Sequence, residues 1–198
     1  MNFEELVIKS RSFRRFVQEQ RVPRQTLVEM VNIARRLPCG GNRQPLRYMV
    51  ICEADSCARL FSHLRWAAAL KDWGGPAEGE RPAAYILILT DTTIHKTPEC
   101  DAGIAGLALQ LAATERKLGA CMLASIDRPK IQQEFNIPQQ YQIMLVLAMG
   151  APAEIVILED AKLGGDVTYY RDAQSAHHVP KRLLQETRDL HVRPDVLP

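Results

Sequence analysis

Several features common in proteins are missing from this 198-residue chain, and each absence removes a class of function. No apolar run comes near the roughly 20 residues that a membrane-spanning helix needs. No two cysteines are spaced as Cys-x-x-Cys, and the total is odd: Cys39, Cys52, Cys57, Cys100 and Cys121. Several lie in apolar stretches, which reads as small buried hydrophobes and not as a disulfide or zinc framework. The histidines have no ligand spacing, since adjacent His177 and His178 cannot be aimed at one metal from a helix or strand. There are no internal repeats and no low-complexity tract. The opening MNFEELVIKSRSFRRF has two glutamates and no continuous apolar core, so no secretory signal is expected and a cytoplasmic location is.

What is present is ordinary globular material, 46% hydrophobic and 24% charged, expected to form a single domain over residues 1–198. The net charge of only +2 hides an asymmetry, because residues 1–48 carry ten Lys and Arg against four Glu. Nucleic acid is one reading of that half. The remainder is mildly acidic and no recognition motif occurs, so a local anion site explains the clustering at least as well. Neither nucleic acid nor membrane is expected as a partner.

Periodicity predicts a short helix over 3–9, then the basic stretch RSFRRF. A helix over 24–37 follows, opened by Pro23 and stopped by Pro38, with Leu27, Val31, Ala34 and Leu37 on its apolar face. Strands are predicted at 46–52, 84–90 and 141–150, a short apolar segment at 121–126, and helices at 55–64 and near 128–135. Between them lies DAGIAGLALQLAATERKLG, a helix over 101–119 that Asp101 can cap and Gly119 can end. Its apolar residues cover more than one face, so it must be buried on several sides, and a subunit interface is one way to achieve that. After 151 the regular signals thin out, which predicts a wrapping arm to 198. The class is α+β, with four or five strands in one sheet.

Three stretches are candidates for chemistry, all with Arg or Lys among small or polar residues: RSFRRF (11–16), PCGGNRQP (38–45) and VPKR (179–182). In RSFRRF, Arg11, Ser12 and Arg14 offer a hydroxyl and two guanidinium groups to an anion, and guanidinium is the preferred bidentate partner of phosphate. An extended arm would split Arg11 from Ser12 and Arg14, whereas a compact turn would converge all three; a solvated basic surface is the plain alternative. In PCGGNRQP, Asn42 and Gln44 are complete donor–acceptor amides suited to a heteroaromatic ring edge, and Gly40 and Gly41 let the backbone approach a ring closely. The plain alternative there is an Asx turn closing a loop.

The order R-S-x-R before an aromatic, then P-x-x-x-N-x-Q-P, then a long helix after an Asp, then LGACMLASI and a C-terminal K-R-L resembles the flavin-dependent nitroreductase family. The resemblance covers nearly the whole chain. It implies a central, mostly antiparallel sheet flanked by helices, in a homodimer that exchanges its C-terminal arms (about 151–198) and binds FMN at the interface. Carried over by position, Arg11, Ser12 and Arg14 hold the FMN phosphate and ribityl end, joined by Arg182 and Lys181. Asn42 bonds the ring or the ribityl chain and Gln44 the ring edge, Cys39 belongs to the same cofactor-binding loop, and the backbone of Ala124 and Ser125 lies near the reactive N5. The implied chemistry takes hydride from NADH or NADPH and passes it to a small-molecule acceptor such as a nitroaromatic or quinone, in alternation. Flavin breakdown, dehalogenation or a sensor without turnover are the alternatives. Cys39 stands where relatives commonly have Ser, Leu46 where they have Trp, and Ala124-Ser125 where some have Glu-Gly, which bears on acceptor preference.

Overall fold

A computed structural model describes residues 1–188, which fall into two compact units. The first comprises residues 1–68 and 72–153; the second comprises, among the described residues, 69–71 and 154–188.

The first unit is built on a five-stranded antiparallel sheet. Helix α1 (Phe3–Lys9) starts with a capping box, in which the Asn2 side chain accepts the Glu5 N–H at 2.9 Å and Glu5 accepts the Asn2 N–H at 3.2 Å. Strand β1 (Phe16–Val17) is short, and α2 (Arg24–Ala34) follows Pro23. Strand β2 (Leu46–Ile51) leads through α3 (Ala54–Phe61) to β3 (Ala84–Asp91), then α4 (Glu99–Glu115), β4 (Gly119–Leu123), α5 (Arg128–Glu134) and β5 (Tyr141–Pro152). The sheet runs β1-β5-β3-β2, and β4 pairs with β5 as well. β3 and most of β5 are buried on both faces, which is why their sequences are apolar without alternation.

The period-2 geometry of β3 divides the core. Tyr85, Leu87 and Leu89 pack with Leu60 of α3 and Ile131 of α5, whereas Ala84, Ile86 and Ile88 pack with Leu27 and Met30 of α2 and Ala105 and Leu109 of α4. α4 buries Ala102, Ala105, Leu109 and Ala113 on the sheet but leaves Ile104 at 44% and Leu107 at 52% exposure. Within one chain, therefore, its apolar surroundings are incomplete.

The second unit holds β6 (Val156–Asp160), β7 (Tyr170–Arg171), β8 (His177–Lys181) and α6 (Leu184–Arg188). β8 is central, parallel to β6 and antiparallel to β7. The predicted irregular arm thus contains a small three-stranded sheet, and 189–198 lie outside the described residues. Charged and ring pairs that periodicity does not register hold it. Arg171 bonds Glu154 at 2.8 Å, and His178 stacks on Tyr170 with centroids 4.7 Å apart.

Three boundaries differ from expectation for physical reasons. α2 ends at Ala34, before Pro38, in a run of turns. α4 begins at Glu99 with Pro98 as its N-cap, because the Asp101 carboxylate is not a cap; it accepts the Gly40 N–H at 2.9 Å. The left-handed residue after α4 is Lys117 (φ 60°), not Gly119. Gly119 opens β4, where a Cβ would come within 2.9 Å of the Phe13 side chain, so this glycine seats the N-terminal arm.

Candidate functional site

The basic arm is fixed against the edge of β4. Ser12 forms a parallel bridge with Ala120, and the Phe13 N–H donates to the Ala120 carbonyl at 3.0 Å. Arg15 leaves the group, for its Nε donates to Glu80 at 2.8 Å. The other three polar side chains stay near the arm. The Arg11 Nη2 donates to the Val7 carbonyl at 2.5 Å, and the Arg14 Nη1 donates to the Ser12 carbonyl at 3.1 Å. Burial lowers the Arg11 pKa. The buried Ser10 Oγ and Arg11 Nε have no hydrogen-bond partner among the described residues. Buried polar atoms are nearly always paired, and Trp66 Nε1, Arg81 Nε and Tyr85 Oη elsewhere in the unit share this state. Ser10, directly before the motif, is buried, which was invisible to sequence.

The loop 38–45 is wound tightly. The Asn42 N–H donates to the Cys39 carbonyl at 3.1 Å and the Arg43 N–H to Gly40 at 3.2 Å, which makes the single 3-10 turn Gly40–Asn42. Gly41 has φ 57°, and Asn42 and Gln44 both have φ 52°. Left-handed backbone is uncommon for residues other than glycine, and such strain of about 1–3 kcal/mol per residue clusters at functional sites. The Gln44 Nε2 donates to the Asn42 Oδ1 at 3.2 Å, so the two exposed amides bond each other. The half-buried Cys39 Sγ accepts the Gln44 N–H at 3.3 Å. Beneath the loop, Tyr48 has its pKa pushed up to about 12, mainly by burial and then by the charges of Asp101 and Cys39. The expectation for cysteines holds in part: Cys57 and Cys121 are buried, Cys39 and Cys52 half-buried, and Cys100 exposed.

Ala124 and Ser125 follow β4 directly and are exposed; the Ser125 carbonyl accepts the Arg65 N–H at 3.0 Å. They and the arm share β4, but the loop does not join them. The register shows why. Ser12 is level with Ala120, Met149 and Ala84, whereas Leu46, just after the loop, is level with Thr90 and Gln142. Four strand spacings across and six residues along put the arm and the loop at opposite corners, about 25 Å apart. In the second unit, Lys181 ends β8 and is exposed, and its carbonyl accepts the Ala161 N–H at 2.8 Å. Exposed Arg182 lies 3.8 Å from Glu186.

Comparison with known proteins fits this architecture. The family model of the nitroreductase family matches residues 8–151, and the chain belongs to that family. A nitroreductase family protein from Clostridium difficile 630 is 28% identical, with a TM-score of 0.65 over 78% of this chain and 87% of that one. An FMN-dependent nitroreductase from Clostridium difficile R20291 is 21% identical, with a TM-score of 0.61 over 75% and 87% of the two chains. A Desulfovibrio desulfuricans protein solved in complex with FMN is 23% identical, with a TM-score of 0.59 over 78% and 88%. No curated protein matches. The chain is thereby placed among mixed helix and antiparallel-sheet proteins of oxidoreductase type. No described helix is long and apolar enough to cross a membrane.

Proposed function

We propose that the protein is an FMN-dependent oxidoreductase, working as a homodimer, that takes hydride from NADH or NADPH and delivers it to a small-molecule acceptor of the nitroaromatic or quinone kind. The observation that carries this is the arm: Ser10 Oγ and Arg11 Nε are buried without partners beside exposed Ser12, in a place that suits a phosphate. FMN, when bound, supplies the two-electron chemistry, so the protein need only hold, orient and shield it.

In this reading Arg11, Ser12 and Arg14 hold the phosphate, with Lys181 and Arg182 as further cations. The exposed backbone of Ala124 and Ser125 borders the ring near N5. Asn42 and Gln44 exchange their mutual hydrogen bond for bonds to the ring edge, at no net loss of pairing. Cys39 supports the loop through the Gln44 N–H and takes no chemical role. An extended FMN molecule is shorter than the arm-to-loop diagonal, which supports a dimer in which each loop serves its partner's flavin. The exposed Ile104 and Leu107 of α4 are the apolar surface such a partner would cover.

The test is direct. The purified protein should be yellow, release a chromophore with the mass of FMN on denaturation, and oxidise NADH or NADPH when menadione or nitrofurazone is supplied. A protein that binds FMN but turns over neither donor with any such acceptor is a flavin binder or sensor, and the enzyme reading fails.

A further inference from the structure

A cavity of about 460 Å³ opens beside the loop, between the end of α2, the start of β2 and the first turns of α4. This volume is in the range of small-molecule sites. Its walls include Leu37, Leu46, Ile94 and Ala105, and Gln44 lines it as well. Three arginines line it: Arg35, Arg43 and Arg47, all exposed. The one opposing charge is the buried Asp101 carboxylate, already bonded to the Gly40 N–H.

The three arginines are not equivalent. Arg47 is committed to the fold: its Nη1 donates to the carbonyls of Gln44 at 3.2 Å and Leu46 at 3.0 Å, and its Nη2 lies 3.8 Å from Asp91. Arg35 spends only its Nε, on Asn32 at 2.7 Å. The Arg43 guanidinium makes no hydrogen bond or ion pair among the described residues; only its backbone N–H is engaged, on Gly40. Two guanidinium groups with donors to spare thus line a cavity that also has apolar walls, and the buried Asp101 carboxylate lines it too. An anion is favoured beside the two guanidinium groups and disfavoured beside Asp101, which favours one orientation of a ligand with one charged end.

From this we infer that the cavity is an acceptor subsite for small aromatic carboxylates, with the carboxylate on Arg35 and Arg43 and the apolar body against Leu37, Leu46 and Ile94. The assignment to an acceptor rests on the proposed function, through Gln44, which belongs both to the cavity wall and to the proposed ring edge. The anion binding itself rests on the cavity alone.

The experiment therefore measures binding first. Oxidised FMN-loaded protein, with no pyridine nucleotide, is titrated with 4-nitrobenzoate and with its neutral counterpart 4-nitrobenzyl alcohol. The wild type should bind the carboxylate about tenfold more tightly, about 1.4 kcal/mol, and lose that preference as salt is raised. Arg35→Gln and Arg43→Gln should each erode the preference and the double variant should remove it, with alcohol binding changed less than twofold and the melting temperature unchanged. Equal binding of both probes by the wild type overturns the inference, as does a preference that survives in the double variant. Steady-state kinetics then separate the two proposals. A protein with anion preference but no turnover keeps this site and loses the enzyme reading. One that reduces both acceptors with equal KM, and binds them equally, loses this site alone.

Discussion

If each loop serves the flavin held by its partner's arm, two damaged chains should repair one another. The sheet register supplies the reason, since about 25 Å separates Ser12 from the loop in one chain. Arg11→Ala/Arg14→Ala removes two charge-assisted contacts, about 3–6 kcal/mol of FMN affinity, or more than 150-fold. Asn42→Ala/Gln44→Ala removes two neutral ones, about 1–3 kcal/mol, or about 5- to 150-fold. At an FMN concentration that saturates only the wild type, each variant alone should be largely empty. After unfolding and refolding as an equal mixture, half of the dimers are mixed. In a two-fold symmetric dimer each mixed pair has one site with an intact arm and an intact loop, so about a quarter of the wild-type sites return. Bound FMN is counted by absorbance after gel filtration. Recovery of nothing beyond the two separate variants would mean that arm and loop act in one chain, and the register argument would be refuted.

Other consequences can be checked singly. The arm should discriminate FMN from riboflavin, which lacks the phosphate: Arg11→Ala should weaken FMN about 10- to 150-fold and leave riboflavin nearly unchanged, as read by titration of apo-protein. Equal wild-type affinity for the two flavins would reduce the arm to a solvated surface. Asp101→Ala strands the Gly40 N–H and unties the loop from α4, so stability should fall by about 1–3 kcal/mol in chemical denaturation; an unchanged midpoint would show that the tether is idle. His178 has its pKa raised by hydrogen bonds to Glu159 and Asp172, and Asp172 has its own lowered chiefly by His178. The His178 contribution is complete below its ordinary 6.5 and is lost as pH rises through the raised value, while that of Asp172 is lost as pH falls below 3.8. Hydrogen exchange in β6–β8, corrected for intrinsic rates, should therefore be slower at pH 6 than at pH 9, and His178→Ala should remove the difference.

Most of the first unit was legible because its elements follow one period. The unbroken apolar runs of β3 and β5 and the spacing of Leu27, Val31 and Ala34 each admit one reading. Termini were less legible, because tertiary bonds decide them: Asp101 has the chemistry of a cap and was drawn off to Gly40, and Gly119 has the chemistry of a helix stop but is needed against Phe13. The second sheet was missed because charge pairs and ring stacking hold it, and these depend on residues distant in sequence, such as Arg171 with Glu154. At the candidate site, residue types suggested Arg11, Ser12, Arg14, Asn42 and Gln44, but the shared left-handed backbone of Asn42 and Gln44 was beyond any local rule.

The arm's dependence on β5 has a consequence for biosynthesis. β1 and Ser12 stand near the start of the chain, yet Phe16 pairs with Pro152, and Ser12 pairs with Ala120 of a strand whose own partner is β5. A ribosome delivers those partners more than a hundred residues later, so the arm emerges first and settles among the last elements. Until then its arginines have no sheet to organise them. Cofactor loading should therefore follow completion of the sheet, and nascent chains halted before β5 should carry the arm's sequence without its affinity.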